Sequence, residues 1–135
     1  NVGPLNYAAG QIPGLPVFSF KADDGLVEHA LSSAQKIAPE LNAISGRVAS
    51  GDQFVSSSEL ADHIYNTFGA DCCEMEGASI AQVAWLNHIP FVVIRLMSDK
   101  PGTTSSVDYL TFEHEASEKS ARITANIITL PIKSA

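Results

Sequence analysis

The chain has 135 residues, of which 45% are hydrophobic and 17% are charged. This composition supports a packed core, argues against a disordered chain and, at about 150 residues per domain, predicts a single domain over residues 1–135. Because 8 basic residues stand against 15 acidic ones, the net charge is -7, and neither nucleic acid nor an anionic membrane is an expected partner. The longest apolar stretch, residues 89–97, contains an arginine and is far shorter than the about 20 residues that cross a bilayer.

The cysteines, the histidines and the first residues bear on compartment, metal binding and completeness. Cys72 and Cys73 are adjacent, which suits neither an ordinary disulfide nor a CxxC metal pair and favours a reducing cytoplasm. The four histidines lack metal-binding spacing, so no metal is expected. Residues 1–16 are rich in proline and glycine without a clear period, as in mid-protein sequence. We therefore expect a piece of a longer protein, with apolar surface that a partner segment or an assembly covers.

The first predicted elements are a helix and a strand. Asp23 can cap a helix whose apolar residues repeat at intervals of three and four and which ends before Pro39. Residues 41–50 are rich in small and β-branched side chains and predict a strand that leads into a turn at Gly51.

Two further helices are predicted, with a short strand between them. Ser56 and Glu59 have the spacing of a capping box, and the helix that follows is expected to end at Gly69. Residues 71–76 are strand-like, and an apolar helical run begins at Gly77.

The last two predicted elements complete an alternation of helices and strands. Residues 90–98 read PFVVIRLMS, which is typical of a parallel strand buried on both faces, and Asp108 can cap a long final helix. The alternation predicts an α/β fold with right-handed crossovers. Since ligands bind beyond the carboxyl ends of strands in such sheets, the residues that follow each strand are the candidates for a site.

An aromatic residue follows the first predicted strand. Phe54 lies in the turn Gly51–Val55, where its ring would be able to stack on a flat ligand. The alternative is that Phe54 covers the hydrophobic core.

Two carboxylates follow the second predicted strand. Glu74 and Glu76 lie two positions apart, hence on one side of an extended segment. A carboxylate can accept hydrogen bonds from two vicinal hydroxyls, so the pair suits a sugar diol. The alternative is a solvated strand end with two surface acids.

An acid also follows the third predicted strand. Arg95 and Asp99 alternate onto one face of that strand, and a half-desolvated acid such as Asp99 suits proton donation because burial raises its pKa. The alternative is structural: Arg95 pairs with Glu74 or Glu113, and a buried ion pair says little about function.

Three runs of residues carry a resemblance to a known family. They read SGDQFV at 50–55, EMEGASIAQV at 74–83 and PFVVIRLMSD at 90–99, with GQIPG and FKADD in the first 24 residues. The chain resembles the carboxyl-terminal part of 5′-methylthioadenosine/S-adenosylhomocysteine nucleosidases, of the nucleoside phosphorylase superfamily. The resemblance implies a partial α/β/α sandwich, with a central mixed sheet flanked by helices and the amino-terminal part absent.

The resemblance also implies roles for individual residues. Those expected to bind the adenine and the ribose are Phe54, Val55, Glu74, Met75 and Glu76. Those expected to act in catalysis are Asp99, which protonates the purine, Ser98, which orients it, and Arg95, near the attacking water. Tyr109 is expected against the 5′ substituent, and the residues expected to reach into a neighbour's pocket across a homodimer interface are Leu5, Tyr7 and Pro13.

The implied activity is hydrolysis of the N-glycosidic bond of an adenine nucleoside, without a cofactor. The family's water-activating glutamate has no counterpart in this chain, and two departures, Leu5 and the long segment 100–107, leave the 5′ group open. Two alternatives therefore remain. One is a purine nucleoside phosphorylase of the same superfamily, and the other is a non-catalytic adenosine-binding or oligomerisation module.

Overall fold

The computed structural model describes residues 7–97 and 106–129, with side chains in the second stretch from residue 114 onward. Helices and strands alternate along most of these residues, as the sequence predicts. In chain order the elements are α1 (Asp24–Ile37), β1 (Val48–Ser50), α2 (Ser58–Phe68), β2 (Cys72–Glu74), α3 (Gly77–Leu86) and α4 (Ser106–Thr129).

Helix α1 begins and ends where the sequence predicts. The side chain of Asp23 accepts a hydrogen bond of 2.9 Å from the backbone N–H of Leu26, which satisfies one of the free donors of the first turn. The helix ends at Ile37, and its C-cap residue Ala38 is not helical because the ring of the following Pro39 disfavours helical backbone there.

Helix α2 has a different cap from the predicted one. Ser57, not Ser56, accepts from the backbone N–H of Leu60 at 3.2 Å, so the predicted capping box is wrong by one position. Three consecutive serines offer nearly equivalent caps, and the spacing alone does not choose among them. The predicted end is confirmed, because Gly69 adopts a left-handed conformation with φ 61°.

The two strands form a small parallel sheet. β1 and β2 pair in the register Val48↔Cys72, Ala49↔Cys73 and Ser50↔Glu74. Both strands are shorter than predicted, because a strand is defined by backbone hydrogen bonds to a neighbour, and only these three residue pairs form them. The register places Ser50 and Glu74 side by side where the two strands end, and α3 packs on β1.

Helices α1 and α4 pack against each other and enclose the main core. Ala34, Ile123 and Ile127 are buried there, and the hydroxyl of the buried Ser33 donates to the backbone oxygen of Ile123 at 2.9 Å. Helix α4 begins at Ser106, three residues earlier than predicted, so Asp108 lies inside the helix and the expectation that it caps the helix is wrong.

The predicted buried strand at 90–98 is wrong for its described residues, 90–97. These have no regular secondary structure, and Arg95 and Met97 are exposed. An apolar run becomes a strand only where a neighbouring strand pairs with its backbone, and the described sheet consists of β1 and β2. The segment is held in other ways: Ile94 packs against the core, and the oxygen of Phe91 accepts from the N–H of Asp23 at 2.9 Å.

Helix α3 carries the exposed apolar surface that the sequence leads us to expect. Ile80, Val83 and Leu86 are 60%, 61% and 51% exposed and lie three residues apart on one side of the helix. Among the described helices, none combines the length and the apolar character that a bilayer crossing requires.

Candidate functional site

Three polar side chains from separate parts of the chain meet at the carboxyl ends of β1 and β2. Ser50 ends β1, Glu74 ends β2, and Arg95 reaches them from the segment that follows α3. Because parallel strands end at the same edge of a sheet, the register alone brings Ser50 and Glu74 together, and this edge is where α/β proteins bind ligands.

The carboxylate of Glu74 lies in the middle of this cluster, and its side chain is only 10% exposed. The hydroxyl of Ser50 donates to one of its oxygens, and the guanidinium of Arg95 donates to the other. The backbone N–H of Gly77 lies 2.9 and 2.7 Å from the two oxygens, and that of Glu76 lies 3.1 Å from one of them. Glu74 thus satisfies two of the free donors at the start of α3.

Opposing influences set the pKa of Glu74. Burial acts to raise the pKa, but the Ser50 hydroxyl, the backbone amides of Gly77 and Glu76 and the charge of Arg95 together lower it below its ordinary value. The Glu74 carboxyl is therefore ionised at neutral pH. It is an anchor for the cation and for the helix start, not a proton donor.

Arg95 joins the two carboxylates that the sequence places two positions apart. The same guanidinium nitrogen that contacts Glu74 donates to Glu76 at 2.8 Å. This cation offsets the repulsion between the two acids. Of the two partners expected for Arg95, Glu74 is confirmed and the side chain of Glu113 lies outside the described part; Glu76 is an additional partner. The side chain of Glu76 is 62% exposed and has an oxygen without a protein partner among the described residues, which leaves it able to accept from a ligand hydroxyl.

The residues expected to bind a flat base lie on the loop after β1. Phe54 is 72% exposed, so the alternative that it covers the core is wrong. Val55 lines a cavity of about 300 Å³ between this loop and the apolar side of α2, formed there by Leu60, Ile64 and Phe68. Met75, expected at the ribose, is 48% exposed. An exposed ring four residues after Ser50, on the loop that leaves the carboxylate cluster, suits an aromatic ligand that also carries hydroxyls.

Other predicted site residues are placed only in part. The hydroxyl of Tyr7 accepts from the backbone N–H of Gly14 at 3.0 Å, and Pro13 is exposed between them. Ser98, Asp99 and Leu5 lie outside the described residues. The backbone of Tyr109 belongs to the first turn of α4, and its side chain lies outside the described part.

The adjacent cysteines are both free and half-buried in β2. Burial, followed by the charges of Cys73 and Glu74, raises the pKa of the Cys72 thiol, which keeps it protonated and unreactive at neutral pH.

Ser50 is the member of this cluster that the sequence reasoning missed. It belongs to the first of the three family-like runs, but a serine at the end of a short strand has no distinctive pattern. Only the pairing of β1 with β2 shows that residue 50 lies opposite residue 74.

Comparisons with known proteins point to one family. The model of the phosphorylase superfamily matches residues 3–129. The 5′-methylthioadenosine/S-adenosylhomocysteine nucleosidase of Geobacillus kaustophilus is 36% identical over 131 residues, which cover 96% of this chain and 55% of that protein.

Solved structures agree with this match. The nucleosidase of Campylobacter jejuni superposes with a TM-score of 0.79 at 31% identity, over 90% of this chain and 52% of that one. The nucleosidase of Colwellia psychrerythraea, solved in complex with adenine, superposes with a TM-score of 0.77 at 31% identity. The match covers 91% of this chain and 51% of that one. The chain spans about half the length of the curated relatives that it matches.

Proposed function

The chain belongs to the phosphorylase superfamily, and on that premise we propose that it hydrolyses the N-glycosidic bond of 5′-methylthioadenosine and S-adenosylhomocysteine, releasing adenine and a thioribose. The α/β fold of this superfamily, predicted from the sequence, is confirmed. The observation that carries the proposal is the exposed carboxylate of Glu76, fixed by Arg95 at the carboxyl end of β2.

In this proposal the cluster binds the sugar. Glu76 accepts hydrogen bonds from the vicinal ribose hydroxyls, because a carboxylate is acceptor-only and can take both. Its negative charge also stabilises the cationic sugar that develops as the bond to the base breaks. Met75 covers the sugar, and Arg95 lies beside the path of the attacking water. Glu74 supports these contacts from behind, since its own oxygens are occupied.

The base is held and protonated by other residues. The exposed ring of Phe54 stacks on adenine, and the main chain of Val55 reads its edge. Adenine leaves poorly as an anion, so Asp99, oriented by Ser98, donates a proton to the imidazole nitrogen of the purine. General acid catalysis of this kind contributes about 10²–10⁴-fold. Activation of the water is not assigned to a residue of this chain.

The same proposal extends to the 5′ group, the assembly and the compartment. Tyr109 lies against the 5′-thio substituent, and Leu5, Tyr7 and Pro13 reach into the neighbouring pocket of a homodimer. We propose a cytoplasmic enzyme of methionine salvage, consistent with its free cysteines.

The test is a chromatographic assay of adenine release from 5′-methylthioadenosine, run with and without inorganic phosphate. We expect adenine and methylthioribose without phosphate. In the protein that carries this chain, Asp99→Asn is expected to lower kcat by about 10²–10⁴-fold with little change in the binding of a substrate analogue. Asp62→Asn, on the exposed side of α2, is the matched control and is expected to leave the rate unchanged.

Three outcomes would contradict the proposal. A sugar phosphate formed only with phosphate present would favour the phosphorylase. Analogue binding without adenine release by the unaltered protein would favour a non-catalytic binding module. Near-normal turnover by Asp99→Asn would remove the assigned acid.

A further inference from the structure

We propose that Ser50 and Glu74 are positioning residues that hold Arg95, and through it Glu76, in the arrangement that binds the ribose hydroxyls. This inference rests on the proposed function and adds two residues to it that act without touching the substrate. The juxtaposition that carries it is a chain of contacts from the end of β1 to the exposed Glu76 carboxylate.

The first link in this chain is the Ser50 hydroxyl. It donates its single proton to Glu74 and accepts from the backbone N–H of Ala78 at 2.7 Å. The hydroxyl therefore has a donor on one side and an acceptor on the other, which fixes its rotamer. It ties the end of β1 both to the Glu74 carboxylate and to the first turn of α3.

The second link is Glu74 itself. A carboxylate has about four lone-pair positions, and donors from Ser50, Glu76, Gly77 and Arg95 occupy them. No acceptor position is left for a sugar hydroxyl. Glu74 was expected to bind substrate, but with its oxygens filled it can influence a ligand only through the groups it holds.

The third link is Arg95, which contacts one acid that is largely covered and one that is exposed. The side chain of Glu74 is 10% exposed and that of Glu76 is 62% exposed. An ion pair with an exposed partner alone is weak, because water screens it and two long side chains must be ordered. The pair with Glu74, whose side chain is 10% exposed, therefore fixes the guanidinium, and the fixed guanidinium in turn orders Glu76. Without the anchor, Glu76 would sample rotamers that do not face the diol.

The test separates binding of the diol from binding of the base. The probes are an adenosine C-nucleoside, whose carbon–carbon glycosidic bond cannot be hydrolysed, its 2′,3′-dideoxy form, and adenine. The dissociation constant of the dideoxy form divided by that of the C-nucleoside, both from calorimetry, measures the contact to the hydroxyls. The variants are Ser50→Ala, Ser50→Thr and Glu74→Gln.

We expect Ser50→Ala and Glu74→Gln to lower this ratio by about tenfold, the equivalent of one hydrogen bond to a charged group, with adenine affinity unchanged. Ser50→Thr, which keeps the hydroxyl, should restore most of the ratio. Ser33→Ala is the matched control, because it removes another serine hydroxyl bond, to Ile123, away from this cluster. It should lower stability and leave the ratio as it was.

The outcomes distinguish this inference from the proposed function. An unchanged ratio in folded Ser50→Ala and Glu74→Gln would overturn the positioning role while the nucleosidase proposal stands. Should Ser50→Ala fail to fold by circular dichroism, Glu74→Gln decides the question alone. A wild-type protein that binds none of the probes would overturn the proposed function, and the positioning role with it.

Discussion

Replacing Glu74 with glutamine is expected to lower the free energy of unfolding by about 3 kcal/mol at neutral pH. The carboxylate accepts from four groups, and glutamine keeps an acceptor at one of the two oxygen positions while placing an NH₂ group at the other. About half of the donors therefore lose their acceptor. A hydrogen bond to a charged group contributes about 1.5–3 kcal/mol, and the contribution of Arg95 is at the lower end because its side chain is 35% exposed.

The pH dependence of this difference follows from the direction of the pKa shift. The pKa of Glu74 is lower in the folded protein than its ordinary value of 4.5, so the unfolded chain takes up the proton first as the solution is acidified. The stabilisation by the carboxylate is complete above about 4.5, the pKa of the unfolded form, and is lost as the pH falls through the folded pKa. Urea unfolding of the wild type and of Glu74→Gln, at neutral pH and across the acidic range, measures this difference in the free energy of unfolding.

The control is Glu59→Gln, which changes another carboxylate near a helix start, in the first turn of α2. Its own backbone amide and the Ser57 hydroxyl lower the pKa of Glu59, but this side chain is exposed to water. We expect a much smaller effect than at Glu74. A loss below about 1 kcal/mol for Glu74→Gln, or a difference from wild type that stays constant into acid, would refute the assignment of Glu74 as a charged anchor.

Two further predictions concern the helix starts. In a helix, alanine is normally more stable than glycine by about 1 kcal/mol. At Gly77, however, a Cβ would lie 2.9 Å from the anchored Glu74 carboxylate. Gly77→Ala should therefore destabilise the protein by about 1–2 kcal/mol. Gly25→Ala in α1, whose nearest neighbour would be 3.3 Å away, is the control, and a Gly77→Ala protein more stable than wild type would contradict the reasoning. Asp23→Ala should lower the free energy of unfolding by about 1 kcal/mol, because the cap of α1 is lost. Asp24→Asn breaks only the exposed pair with Lys21 and should have a smaller effect. Equal losses of stability in urea unfolding would argue against the cap.

The helices could be predicted from the sequence because their signals are local. The cap at Asp23, the stop before Pro39 and the left-handed Gly69 each depend on a few neighbouring residues. The strands could not be bounded in the same way. Small and β-branched side chains favour a strand at 41–50, and apolar character favours one at 90–98. A strand exists only where a second backbone pairs with it, and that partner is distant in sequence.

The same limit applies to the site. Spacing shows that Glu74 and Glu76 are close together, and it makes an ion pair with Arg95 reasonable. It cannot choose between Glu74 and Glu113 as the partner, because the choice depends on how the segment after α3 returns to the sheet edge. For Ser50, nothing in the sequence indicates a role, since its position opposite Glu74 arises from the register of β1 with β2.

Glu74 and Glu76, which lie two residues apart, therefore differ in role, because they differ in position relative to the start of α3. Glu74 ends β2, where free backbone amides of the helix start donate to its carboxylate, while Glu76 is the N-cap residue of α3 and its side chain is 62% exposed. Because one guanidinium is shared between two carboxylates, the cluster keeps one net negative charge, and burial of Glu74 assigns that charge to Glu76. A negative charge fixed at an exposed position is what a cationic sugar requires in the transition state. Neutralising Glu74 would remove that net charge without touching the substrate, so the two acids have to be judged together.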